Sequence, residues 1–184
     1  MKAIQELEME HQGVELMLRI MQAVAAKMES GQPAQDDPWE GILEFLTVFV
    51  DRCHHGKEEE FLFPALEAAG VRRDGGPIGV MLSEHVQGRV LVAELKKALR
   101  DRNSGERSAS AAVQKAVDDY TVLLTQHIAK ENTVLFPMSA SKLVAGQDSE
   151  LVEAFERLER ERIGAGKHEE FHAMLDRLQE TYLS

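Results

Sequence analysis

An all-α fold is predicted by this sequence: an up-down-up-down four-helix bundle carrying a C-terminal helical extension. Three observations predict it. Apolar residues recur at helical spacing in four long segments, the connections between them are short, and no run of alternating β-branched residues supplies a strand. With 184 residues, 43% hydrophobic and 29% charged, the chain is long enough for one substantial core and short for two.

The first segment runs from about Ile4 to Glu29 and stops at the breaker cluster Ser30-Gly31-Gln32-Pro33. The second begins at DDPWE. There Asp37 caps free N–H groups, and Pro38 suits the first helical position because an N–H would be unpaired there anyway. Its apolar positions (Ile42, Leu43, Phe45, Leu46, Phe49, Val50) continue the pattern to about Ala69, and Gly70 ends it. After the RRDGGP turn a third segment runs from about Ile78 to Arg102. DRNSGERS breaks it, and a fourth runs from about Ala109 to Ala140. The remainder reads as two shorter helices around Gly164–Gly166, with Leu151, Val152, Phe155 and Leu158 forming one apolar stripe. The expected organisation is a bundle over residues 1–145 and an extension over residues 146–184 that packs on it.

Charge narrows the function. A formal net charge of −11, with no local Lys/Arg cluster to offset it, argues against a nucleic-acid partner. The opening MKAIQELEME has acid where a signal peptide needs an apolar stretch, and no apolar run approaches the roughly 20 residues of a membrane span. A single cysteine, Cys53, gives no internal disulfide framework and fits a reducing compartment, so a cytoplasmic location is expected.

The polar residues carry a repeat. HHGKEEEFLFP, from His54 to Pro64, aligns with HIAKENTVLFP, from His127 to Pro137, at a constant offset of 73. Upstream, EMEH and LSEH pair His11 with His85. Each of two helical hairpins thus carries a histidine and, further on, His-x-x-x-Glu. His11 and His54 both lie roughly 26 Å from the loop joining their helices, at about 1.5 Å per residue, so an antiparallel hairpin puts them at one level. His85 and His127 pass the same test. The i, i+4 spacing sets Glu58 beside His54 and Glu131 beside His127. Packing the hairpins together therefore gathers four histidines and two carboxylates inside the bundle.

Buried carboxylates and imidazoles are costly unless paired or bound to a cation. Two divalent ions would offset the two glutamates while the imidazoles bind neutral, and mixed N/O ligation suits iron or manganese better than zinc. A duplicated hairpin whose histidines merely satisfy core hydrogen bonds would leave the same register.

These elements, EMEH, HHGKEEEFLFP, LSEH and HIAKENTVLFP, resemble the hemerythrin-like family, or HHE cation-binding domain, over roughly residues 4 to 140. The resemblance implies a four-helix bundle holding two iron ions, with manganese or zinc as alternatives. Its terminal ligands would be His11, His54, His85 and His127, with Glu58 and Glu131 bridging. It also implies that Phe63-Pro64 and Phe136-Pro137 pack near the site. Two departures stand out. Arg89 occupies the place where the oxygen carriers have a second histidine on the third helix, and Glu131 follows its histidine by four residues where they have an aspartate at five. The site as read is one ligand short, which weighs against simple reversible oxygen carriage.

Other residues have competing roles. His55 lies about 100° around a regular helix from His54 and is expected at the surface, with an outer hydrogen-bond role or direct ligation as alternatives. Glu10, Glu15 and Glu84 either orient ligand histidines or are solvated charges. Cys53 is expected to pack as a small apolar residue and Tyr120 as core. KHEEFH matches the His-Glu-x-x-His pattern of zinc peptidases, but its helix is strongly charged. His168 and His172 are expected on a surface helix, the alternative being a tail folded over the bundle to replace the missing ligand.

The leading functional expectation is a di-iron protein binding O2 or another small diatomic such as NO, for sensing, storage or iron and redox handling. A di-iron oxidase-like or peroxidase-like enzyme, or an iron donor or repair protein, is the second. A metal-free helical interaction module that forms a homodimer through its tail is the third.

Overall fold

A computed structural model describes residues 1–29, 37–104 and 109–183, and among these there are six continuous helices and no strand. They are α1 (Lys2–Glu29), α2 (residues 39–68), α3 (Pro77–Asn103), α4 (residues 109–142), α5 (residues 145–163) and α6 (Lys167–Tyr182). The breaker cluster at 30–33 and residues 105–108 of the following loop lie outside the described residues. At the start of α2 the Asp37 carboxylate accepts the Trp39 N–H at 3.2 Å. Gly70, at φ 87°, ends that helix: its N–H reaches the Glu67 carbonyl and the Val71 N–H reaches the Leu66 carbonyl. Gly164 and Gly166 take the left-handed conformations that separate α5 from α6.

The helices that carry the repeat are not regular. The turns of α2 are widened over Phe45–His55 and Glu58–Leu62, and those of α4 over Glu131–Leu135. The Phe63 N–H bonds the Glu58 carbonyl and the Phe136 N–H bonds the Glu131 carbonyl, each five residues back. A proline within an α-helix drives its ring against the carbonyl four residues earlier. Opening the turn before Pro64 and Pro137 relieves that clash and keeps both helices continuous.

The apolar interior is in two parts. One cluster contains Met17, Ile20, Met21, Ile42, Phe45, Leu95, Val117 and Leu124. The other contains Leu7, Leu62, Phe63, Ile78, Leu135, Phe136 and Phe155. Along each bundle helix the repeat's histidines fall between these groups, so the polar layer is a slab between two apolar cores.

The extension contributes to both cores, through Phe171 and Leu175 to the first and Leu151, Val152 and Phe155 to the second. Its helices contact α1. One approach uses a missing side chain: a Cβ at Gly41 would stand only 2.8 Å from the Met174 sulfur. Among the described residues no helix is long and apolar enough to cross a membrane.

Candidate metal centre

All six residues singled out by the repeat converge in the polar slab and are buried: His11, His54, Glu58, His85, His127 and Glu131. The two histidines of each hairpin face each other through Nε2, His11 to His54 at 3.1 Å and His85 to His127 at 3.2 Å. The carboxylates cross between hairpins. Glu58 stands 3.9 Å from His54 Nε2 and, through its other oxygen, 3.4 Å from His85 Nε2. Glu131 likewise stands 3.3 Å from His127 Nε2 and 3.1 Å from His11 Nε2. The arrangement has an approximate twofold relation that follows the sequence repeat.

Each ring's other nitrogen is engaged from outside. His54 Nδ1 lies 2.8 Å from Glu10 and His127 Nδ1 3.0 Å from Glu84, the acidic residues that precede His11 and His85. His85 Nδ1 lies 2.7 Å from Glu59 and His11 Nδ1 2.8 Å from the Asn132 side-chain oxygen. All four partners are acceptors, so each Nδ1 carries a proton, and a ring in its neutral form turns a bare Nε2 lone pair inward. Two such lone pairs 3.1–3.2 Å apart do not bond to each other; a shared cation reconciles them. No oxygen of Glu58 or Glu131 has a hydrogen-bond partner. Donors of this kind, buried and lacking partners, fit a divalent metal centre.

Electrostatics point the same way. Burial, reinforced by the Glu58 carboxylate beside it, raises the Glu131 pKa well above its ordinary value. Burial pulls in the same direction on Glu58, but the His54 and His85 imidazoles outweigh it and lower that group. Without cations the pair thus cannot ionise together. Burial lowers His11 to about 3 and His127 to about 4, leaving both rings neutral ligands at ordinary pH. His85 is opposite: burial depresses it, yet Glu58 and Glu59 together outweigh burial and raise it.

Residues 2–139 match the hemerythrin HHE cation-binding domain model. The chain belongs to the hemerythrin family. Hemerythrin-like domains bind metal, and the paired His/Glu clusters could hold it. An uncharacterized protein of Mycobacterium tuberculosis is 25% identical over 162 residues, covering 88% of this chain and 63% of that one. The iron-sulfur cluster repair protein YtfE of Salmonella typhimurium is 30% identical over 117 residues, covering 61% of this chain and 53% of the relative. The chain thus spans between half and two thirds of the length of these relatives. No solved structure gives a significant match.

Within this hemerythrin fold one residue departs from the sequence expectation. His55 is not at the surface: it is 4% exposed, and its ring stacks on His85 with centroids 3.8 Å apart. Regular α-helical geometry would turn it away from His54, but the widened turn through Phe45–His55 lets both rings face inward. Neither ring nitrogen has a hydrogen-bond partner, Asp51 standing 3.7 Å from Nδ1. Donor atoms of His55, Glu58, His85 and His127 form one group within 4.8 Å of one another, and those of His11, His54, Glu58 and Glu131 form another.

Arg89 is turned outward and donates to Asp51 and Glu59, each at 2.7 Å. His172 is exposed, and so is Glu15. His168 instead reaches the outer side of the centre, its Nε2 3.5 Å from the Cys53 sulfur and 3.6 Å from Glu159. Cys53 is fully buried, and burial, with Glu10 next in effect, raises its thiol pKa. Phe136 stacks on His11 and Phe63 on His85, with centroids at 5.3 and 5.9 Å.

The roles of three outer residues, Lys57, Asn132 and Glu59, escaped the sequence reading. Lys57 is fully buried and its ammonium sits among Glu6, Glu10 and the Glu159 carboxylate of α5. Asn132 carries His11. Their signal was present in the repeat, since Lys57 aligns with Lys130 and Glu59 with Asn132.

Proposed function

We propose that this chain is a di-iron protein whose centre binds a small diatomic such as O2 or NO, in sensing, storage or iron and redox handling. His11 and His54 would serve one ion, His55, His85 and His127 the other, with Glu58 and Glu131 bridging. One observation supports this most: inward-facing imidazole nitrogens and four partnerless carboxylate oxygens share one buried slab. Five nitrogens and two carboxylates suit iron, with manganese or zinc as alternative occupants.

Bound iron would supply redox-active, ligand-binding positions. The protein's part is to hold each imidazole as a neutral donor through Glu10, Asn132, Glu59 and Glu84. His55 restores a nitrogen that Arg89 does not provide, so the centre is no longer short of a ligand as the repeat alone suggested. A location in the cytoplasm fits a chain with one buried thiol.

Anaerobic loading with ferrous iron, elemental analysis and exposure to air or NO test the reading. Two irons per chain with a reversible optical change on O2 or NO are expected. Absence of bound iron would overturn it. Irreversible oxidation with peroxide turnover would move the protein to the enzyme class. A second reading, iron donation or repair, is favoured by the likeness to the iron-sulfur cluster repair protein; transfer of the loaded iron to an apo-cluster acceptor would select it.

A further inference from the structure

A cavity of about 320 Å³ opens from the surface between α2 and α3 and reaches His55. Its volume is at the lower end of the range of small-molecule sites, well beyond what a diatomic fills. Leu46, Val92 and the ring of Tyr120 wall it, and Ala93 is at its exposed rim. The two cations that line it differ. Arg89 is already committed to Asp51 and Glu59, whereas Lys96 has no ion-pair partner among the described residues. His55 adds a buried polar group without a partner: if one ring nitrogen binds metal, the other carries a proton and needs an acceptor.

We propose that this cavity binds a small organic acid, its carboxylate paired with Lys96, its apolar body against Leu46, Val92 and Tyr120, and an acceptor oxygen toward His55. The occupant stands beside the proposed iron centre, so a bound acid reports on, or reacts next to, the metals. The pocket itself is lined by protein residues and needs no metal. Only the contact with His55 rests on the di-iron reading.

The test uses 3-fluoro-4-hydroxybenzoate as probe, followed by fluorine NMR on full-length protein, both metal-free and iron-loaded, with iron content measured in every sample. Saturable binding is expected in both forms. Lys96→Met should weaken it about tenfold, as should replacing the probe by its methyl ester, the scale of one lost charge-assisted hydrogen bond. Ala93→Phe, at an exposed position, should abolish binding while iron content stays unchanged. No saturable binding, or equal binding by Lys96→Met and Ala93→Phe, overturns the site. Failure to bind with iron retained counts against the pocket alone; binding by protein that takes up no iron on loading counts against the di-iron reading alone.

Discussion

The two hairpins of the bundle share a plan and differ in its execution. Inside, α1–α2 and α3–α4 match: two histidines facing each other through Nε2, one crossing glutamate, one phenylalanine stacked on a ring. Around this shared set, three aligned positions diverge. His55 corresponds to Ile128, Glu59 to Asn132, and the fully buried Lys57 to Lys130, which is 39% exposed. The lesson is that the six donors of the repeat are the same in both halves, whereas the residues around them, His55 included, set donor number, charge and solvent access separately for each half. The extension accounts for part of the difference. Glu159 closes over Lys57 and no element does the same for Lys130 among the described residues.

The largest test of the shared plan is removal of its crossing carboxylates. Glu58→Ala and Glu131→Ala should each reduce iron from about two per chain to one or fewer, measured by elemental analysis after anaerobic loading. A chain that keeps both ions after either change breaks the equivalence of the halves.

The lysines sharpen the contrast. Lys57→Met leaves Glu6, Glu10 and Glu159 facing one another in a buried site, and should cost about 3–5 kcal/mol in urea unfolding. Lys130→Met removes a half-exposed pair with Glu84 and should cost within about 1 kcal/mol. Equal costs would erase the distinction.

Acidification of the metal-free protein separates His11 from His85. With the pKa of His11 lowered to about 3 from an ordinary 6.5, the unfolded chain binds the extra proton across that window. Stability held above pH 6.5 is therefore lost as pH falls toward 3, at up to roughly 1.4 kcal/mol per unit. His127, lowered to about 4, adds to the loss down to that pH. His85, raised, acts in the reverse sense: its contribution is full below 6.5 and disappears as pH rises through its folded value. Two-dimensional NMR titration should find His85 protonating at higher pH than His11, and Asn132→Asp should move His11 upward.

A modest effect on the metal is expected at the outer carboxylate. Glu59→Gln keeps an acceptor for His85 Nδ1 but removes its charge, and should lower iron affinity about tenfold, at the mild end for such partners. Competition with a calibrated chelator reads it directly.

The sequence made the inner plan visible because a repeat needs only identity and spacing: His11, His54, Glu58, His85, His127 and Glu131 all follow from it. It also marked Glu10 and Glu84, though not which histidines they would hold. His55 was misplaced because its direction was reckoned on a regular helix. Pro64 and Pro137 were the available sign that these helices open, but the sign does not say how far the widening extends, and in α2 it reaches back to Phe45. Arg89 was recognised as an unusual residue, while its hold on Asp51 and Glu59 depends on side-chain reach that spacing does not encode.

The division of the apolar interior has a mechanical consequence. Leu7, Phe63 and Phe155 lie to one side of a layer that water-free packing alone does not hold together, and Met17, Phe45 and Leu95 to the other. Cations held in that layer would act as rivets through all four bundle helices. Drawing them out would free the two ends to melt at separate temperatures, and amide exchange should then report two cooperative units in metal-free protein and one in loaded protein.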